Sequence, residues 1–564
     1  MQSKRWVIQP KLTPQADENL AAFPPILRQL LFNRGYATEA SARAFLRAEA
    51  GFDINPFQMK NMEVAVERIR YALDHQEAVA IYGDYDVDGV TATALLMETF
   101  RQYKANVRGY IPNRFDEGYG LNNDALDHLK ADGVKLVITV DCGIRSPNEA
   151  RHAREIGLDL IVSDHHHPGD ELPPAFAIIN PKQADDPYSD KDLAGVGIAY
   201  KIAEALIGSG DLSLIGYLDL VALGTVADLA PLIGENRKLV RRGLKQIRET
   251  KRQGLFSLAN VAEMVIGKTT ADQIGFILGP RLNAAGRLES ALAALDLLTT
   301  DDSMLAGRLA QQLDVQNRQR QSMTRLTQEK AEMLATADGA DPFLLFAVDE
   351  DFNPGVIGLA ASRLTETHYR PSVVAAKGAE ETRGSCRSIP EFHITDALDR
   401  CADLLVRYGG HAAAAGFTVR NEKLPELVDR LKSVAQAQLS GQDLRPTLTA
   451  DAEIPLSQLN FELLNQLVEF EPTGYGNPNA VFASHDVKVK SARTVGAEGR
   501  HLKLILEDER GVAYDAIGFR IGNLQSDLSQ RVDVMYSFEI NEYNGRTTMQ
   551  LNLKDVKPAG LANA

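Results

Sequence analysis

Between residues 78 and 179 the chain carries five short runs rich in Val and Ile: Ala78 to Tyr82, Val107 to Ile111, Leu136 to Val140, Leu160 to Val162 and Ala177 to Ile179. Segments apolar on both faces need cover on both sides. That points to buried parallel strands with crossover helices, an α/β domain with a mostly parallel sheet. Three of the runs lead within two residues to an acid, at Asp84, Asp141 and Asp164. In open α/β sheets, ligands bind beyond the carboxyl ends of the strands. The pattern therefore constrains fold and site position together.

The remaining sequence divides by pattern. Residues 1–70 read as a short-helical segment, with Leu27, Leu30 and Leu31 at amphipathic spacing, and residues 71–300 as the first α/β domain with a helical extension. Ser303 to Ala335 has no Gly or Pro except Gly307 and reads as a long connecting helix, placed in 301–340. A Gly/Asp/Pro break at 335–342 precedes a second α/β unit over 341–440, from the strand Leu344 to Val348 to the helix Leu424 to Leu439. Residues 446–560 alternate polar and apolar, with a turn signal at Asn544-Gly545, and predict a small antiparallel barrel.

Composition excludes several classes. With 44% hydrophobic and 24% charged positions, the chain is neither disordered nor fibrous. Three scattered cysteines, Cys142, Cys386 and Cys401, make no disulfide framework and point to a reducing, cytoplasmic setting. No secretory signal is expected at the N-terminus. The most apolar stretch, Leu212 to Ile233, contains Asp219 and Asp228. Each would cost roughly 2.5 to 3.5 kcal/mol at membrane depth, so no membrane span is expected. The net charge of -15 disfavours a general nucleic-acid coat but leaves room for a local basic groove.

Four clusters carry chemistry. GDYDVDG places Asp84, Asp86 and Asp88 at alternate positions between a strand and a helix expected from about Thr91. Such carboxylates repel unless a cation holds them, and hard divalent ions suit oxygen ligands. The plain alternative is a solvated loop capping the helix. VDCG delivers Asp141, which alone reads as a turn residue. SDHHH delivers Asp164, His165, His166 and His167; neutral imidazole binds Zn, Mn or Fe, and an adjacent Asp often orients such a ring. GTVADLAPL sets Asp228 in an apolar segment, where a lone acid is costly. Two metals about 3.5 to 4 Å apart would use this many ligands and suit phosphoryl chemistry.

These four motifs, in order, resemble those of the DHH phosphoesterase superfamily. With GPRLNAAGR (279–287), RGSCRS (383–388), GGHAAAAGF (409–417) and EPTGYGNP (471–478), nearly the whole chain is similar to the superfamily's bacterial single-strand-specific 5′→3′ exonucleases. The resemblance implies two α/β domains, a DHH domain and a DHH-associated domain, joined by a long helix, plus an OB-fold-like barrel. It implies two Mn²⁺ or Mg²⁺ ions, with metal ligands among Asp84, Asp86 and Asp88, Asp141 bridging, and His165 and Asp228 completing the second site. His166 would face the scissile phosphate, with Asp164 supporting it. His411 would contact substrate, and Arg281, Ser385, Arg387 and Arg114 would hold the terminal phosphate. His167 receives no role.

The implied activity is metal-dependent degradation of single-stranded DNA from the 5′ end to 5′-mononucleotides, in DNA recombination and repair. The rivals are a phosphodiesterase of short oligonucleotides or cyclic dinucleotides, and a non-catalytic single-strand-binding scaffold. Implied partners are single-stranded DNA, a single-strand-binding protein and a DNA helicase, with the chain acting as a monomer. The basic run Arg237, Lys238, Arg241, Arg242, Lys245, Arg248, Lys251, Arg252 reads either as a solvated helix face or as a DNA backbone track. Phe519, Phe538 and Tyr543 are candidates either to stack on bases or to fill the barrel.

Overall fold

The computed structural model describes residues 4–48, 54–113, 117, 120–288, 290–337, 339, 343–543 and 546–560. The chain forms two compact units, one built on Val315–Leu448 and the other on Trp6–Asp314 with Thr449 onward.

The larger unit contains a five-stranded sheet in the order Val107–Tyr110, Ala78–Gly83, Val134–Val140, Asp159–Ser163, Ala177–Ile179, parallel throughout. All five predicted strands are present, and helices such as Val87–Gln102 and Gly195–Ile207 bury Leu95, Leu96, Ile198 and Ile202 against them. Register does the positioning. Gly83 pairs with Val140, Val140 with Ser163, and Ser163 with Ile179. The next residue on each strand therefore falls in one row: Asp84, Asp141, Asp164 and Asn180.

The same unit contains the barrel. Strands Val481–Val495, His501–Glu507, Ala513–Gly518, Arg546–Pro558 and Arg531–Tyr543 are neighbours in that order, and the last pairs back onto the first. Numbered along the chain, the closed order is 1-2-3-5-4-1, that of an OB-fold. The barrel is not purely antiparallel: Ala513–Gly518 runs parallel to Arg546–Pro558. Closing five strands requires a parallel pair, because an odd ring cannot alternate direction throughout. The expected turn at Asn544-Gly545 lies outside the described residues. The N-terminal helices Pro25–Asn33 and Glu39–Arg47 bury Leu27, Leu30, Leu31 and Phe45 in the barrel's core, whereas Met62–Asp74 belongs to the core of the parallel sheet.

The basic run from Arg237 has a third role that neither expected reading covers. Arg237 is 1% exposed. Its guanidinium donates to the carbonyls of Phe45, Glu469, Phe470, Glu471 and Pro472 and lies 4.0 Å over the Phe45 ring. Arg252 is tied to Glu98 and Asp219, Arg248 to the Thr269 carbonyl, and Arg241 to the Leu46 carbonyl. Arg242, Lys245 and Lys251 remain exposed. Helix Gly234–Arg248 thus fastens the barrel and N-terminal helices to the parallel-sheet body.

The smaller unit holds a sheet in the order Leu405–His411, Ala414–Arg420, Glu381–Arg387, Ser372–Lys377, Leu345–Asp349. Only the last two strands are parallel to each other. The helix Ser303–Thr336 runs from the larger unit into the smaller one, at the expected connecting position. Among the described residues no helix is long and apolar enough to cross a membrane.

Candidate metal centre

The loop after Ala78–Gly83 enters its helix earlier than expected, at Val87, because Asp86 is the N-cap. The Asp86 Oδ1 accepts from the N–H groups of Asp88 (2.9 Å) and Gly89 (3.1 Å). This turns Asp88 inward onto the helix's first buried turn, where it is 1% exposed. The Asp88 carboxylate then accepts from Gly195 N–H at 2.6 Å and Val196 N–H at 2.8 Å, the opening of helix Gly195–Ile207. The approach needs small residues. A Cβ on Gly89 would lie 2.5 Å from the Asp84 backbone, and one on Gly224 would lie 2.8 Å from Asp88 Oδ1.

Asp141 sits in the left-handed region, with φ of +63°, and is 1% exposed. Asp228 caps the C-terminus of helix Leu218–Ala227. Three sets of ligand atoms converge: Asp84, Asp86 and Asp141; Asp141, His165 and His166; and Asp88, His165 and Asp228, each within 4.8 Å. Asp141 and His165 are each shared by two sets. His165 Nε2 lies 3.0 Å from Asp141 Oδ1 and 3.6 Å from Asp228 Oδ2.

Electrostatics separate these groups. Burial, then His166, pushes His165 down to about 3, so the imidazole is neutral and Nε2 can offer a lone pair. Its closeness to Asp141 is therefore no ion pair, and neither His165 Nε2 nor Asp141 Oδ1 makes a hydrogen bond among the described residues. Burial, then neighbouring carboxylates, raises Asp88 to about 7, Asp228 to about 9 and Asp141 well above the ordinary value. Buried lone pairs aimed at one another are costly unless a cation lies between them. The set of carboxylate oxygens with neutral imidazole suits Mn²⁺, and the oxygen-rich set Asp84, Asp86 and Asp141 suits Mg²⁺ as well.

Asp164 faces elsewhere. Its Oδ2 accepts from Ile144 N–H at 2.9 Å, and its Oδ1 from the His166 backbone at 3.0 Å and His166 Nδ1 at 2.8 Å. Burial acts to raise Asp164, but the His166 hydrogen bond and charge outweigh it and lower it. The same bond overcomes burial to raise His166. Asp164 thus orients the His166 ring through Nδ1.

The other expected residues are placed separately. Arg281 donates to Asp314 Oδ1 at 3.0 Å and to the Ile277 carbonyl at 2.9 Å. In the smaller unit, Ser385 and Arg387 share one face of Glu381–Arg387, with Arg387 Nη1 3.2 Å from Ser385 Oγ. Gly358, in the first turn of helix Ile357–His368, packs onto this pair: a Cβ there would lie 3.0 Å from Ser385 Oγ and 3.1 Å from Arg387 Nη2. A helix N-terminus beside an arginine and a hydroxyl is suited to an anion. His411 is exposed at the end of the hairpin strand Leu405–His411, which excludes a core role. Arg114 lies outside the described residues. Phe538 fills the barrel core, whereas Phe519 is 54% exposed. Sequence reasoning missed Gly358, Gly195 and Asn180; the small-residue positions carry no chemical signal by themselves, and Asn180 is legible only once strand register is known.

Comparison with known proteins agrees with this arrangement. Residues 78–225 match the DHH family N-terminal domain, 341–437 the DHHA1 domain and 450–555 the RecJ OB domain. The chain is 40% identical over 536 residues to the single-stranded-DNA-specific exonuclease RecJ of Bacillus subtilis, covering 94% of this chain and 68% of that protein. It is 35% identical to the Escherichia coli protein of the same name, covering 95% of this chain and 96% of that one. The crystal structure of RecJ from Thermus thermophilus in complex with Mn²⁺ superimposes with a TM-score of 0.84 at 31% identity, covering 98% of this chain and 79% of that one. Its Mg²⁺ complex gives 0.78 at 29% identity, covering 99% and 79%. The chain belongs to the RecJ family of single-stranded-DNA-specific exonucleases.

Proposed function

We propose that this chain is a metal-dependent exonuclease that degrades single-stranded DNA 5′→3′ to 5′-mononucleotides. The observation that carries the reading is the sharing of Asp141 and His165 between converging ligand sets. Asp84, Asp86 and Asp141 would hold one divalent ion, and Asp141, His165, Asp228 and Asp88 the other. Bound Mn²⁺ or Mg²⁺ supplies water activation and charge neutralisation at phosphorus. The protein's own contribution is positional. Asp164 orients the His166 ring through Nδ1, and His166 would face a phosphoryl oxygen of the scissile group. Ser385, Arg387 and the first turn at Gly358 are suited to the terminal 5′-phosphate, with Arg114, Arg281 and His411 as further contacts.

By this reading the chain acts as a monomer in the cytoplasm, in DNA recombination and repair, beside a single-strand-binding protein and a helicase. Strands labelled at either end, with and without a 5′-phosphate, test it against blunt duplex in Mn²⁺. Mononucleotides should leave from the 5′ end of single strands first. Equal degradation of duplex, or release from the 3′ end, contradicts it, and cleavage confined to dinucleotide-sized substrates favours a small-substrate phosphodiesterase.

A further inference from the structure

Beyond Arg281, the motif GPRLNAAGR (279–287) touches the loop that carries three of the metal-centre aspartates. The motif forms helix Gly279–Leu288. Asn283 Oδ1 accepts from the Val87 N–H at 3.0 Å, across 196 residues of chain. Three residues on, and so on the same helical face, Gly286 meets the Tyr85 carbonyl. A Cβ there would lie 2.7 Å from that oxygen. One face of the helix thus grips Tyr85 and Val87, the two residues that alternate with Asp84, Asp86 and Asp88. The segment also reaches the fourth motif: a Cβ on Gly279 would lie 3.4 Å from the Cβ of Ala227, the residue before Asp228.

The Asn283 contact meets a specific deficit. The first N–H groups of a helix have no carbonyl within it to accept them. In helix Val87–Gln102, the Asp86 carboxylate serves those of Asp88 and Gly89. The Val87 N–H, the first of the helix, takes its acceptor from Asn283 instead. Val87 also stands between ligands of different sets. Asp86 converges with Asp84 and Asp141, and Asp88 with His165 and Asp228. Asn283 therefore fixes the backbone where the two sets join. Its amide nitrogen makes no hydrogen bond among the described residues, so the oxygen alone carries the contact.

We infer that Asn283 is a positioning residue that sets the offset between the two ligand sets through the Val87 N–H, and that Gly286 lets its helix approach closely enough to do so. This deepens the two-ion reading above and rests on it. With the Val87 N–H unmet, the loop is free to relax, and the carboxylates on either side of Val87 move apart by mutual repulsion. Both ions then lose a ligand position, and both bind more weakly. A hydrogen bond that merely capped the helix would lower the stability of the metal-free chain and leave metal affinity alone.

The test titrates the full chain with Mn²⁺ alone in a calorimeter, with urea unfolding of the metal-free protein alongside. Asn283→Leu keeps the volume and removes the acceptor, and both ions should bind about tenfold more weakly or worse. Asn283→Asp keeps an acceptor for Val87 and should return both affinities toward wild type. Gly286→Ala, which presses on the Tyr85 carbonyl, should weaken both ions as Asn283→Leu does, and it decides the matter if Asn283→Leu does not fold. A lowered urea midpoint with unchanged Mn²⁺ affinity marks a plain cap and overturns the inference. So does loss of one ion only, or an Asn283→Asp affinity as low as that of Asn283→Leu. Fewer than two ions in wild type overturns the two-ion reading and this inference with it, whereas two ions in wild type and unchanged affinity in the variants overturn the inference alone.

Discussion

Both carboxylate oxygens of Asp164 are engaged by protein donors, so the residue can shape the site without ligating an ion. Asp164→Asn keeps the volume and loses the charge that raises His166. Activity should fall about 10- to 100-fold, while Mn²⁺ affinity, measured by titration, changes less than activity does. Equal losses in both would make Asp164 a ligand. At this scale the sequence was informative where chemistry is written in side chains: Asp84, Asp141, His165 and Asp228 stand out as acids and imidazoles at the ends of apolar segments. It suggested that an adjacent Asp would orient a ring, and the resemblance put Asp164 behind His166, but the residues alone do not fix that orientation. Nothing in SDHHH says that the first residue turns to the third rather than toward a metal, because that follows from the Ile144 N–H, which lies on another strand's loop.

At the scale of elements, two kinds of close fit make the site. Gly89 and Gly224 admit the Asp84 loop and Asp88 at distances a Cβ would not permit. Gly224→Ala should lower Mn²⁺ affinity by about tenfold or more while far-UV circular dichroism stays unchanged. Unaltered affinity would mean that the helices can separate freely there. The second fit is Arg237, whose planar guanidinium serves five carbonyls at once. Arg237→Met leaves those buried acceptors unpaired and should cost about 3 kcal/mol or more in urea unfolding. Lysine should not restore it, having neither the fork nor the flat face that stacks on Phe45. An unchanged midpoint would contradict this account of helix Gly234–Arg248. The strands and the long helix were legible because their periodicity is local. The role of the basic run was not, since its partners Phe45 and Glu469 to Pro472 are nearly two hundred residues or more away in sequence.

For the whole molecule, the raised carboxyls couple stability to metal and pH. Without metal, Asp88 rises to about 7 and Asp228 to about 9 from an ordinary 3.8. The folded chain then holds protons that the unfolded chain has released. This stability is full below the ordinary carboxyl value, declines as pH rises, and is lost only once pH passes the folded-state values. In EDTA, Tm should fall steadily between pH 5 and about 9, and Mn²⁺ should raise it by an amount that grows across that window. A flat profile in EDTA would show that these carboxyls are not compressed in the folded protein.

The account turns on two ions that share Asp141. Mn²⁺ stoichiometry, measured by titration of the metal-free full chain and of Asp141→Ala, tests this most directly. Two ions per chain are predicted for wild type, with neither bound at comparable affinity by the variant. A single ion in wild type, or two ions still held by Asp141→Ala, would contradict it.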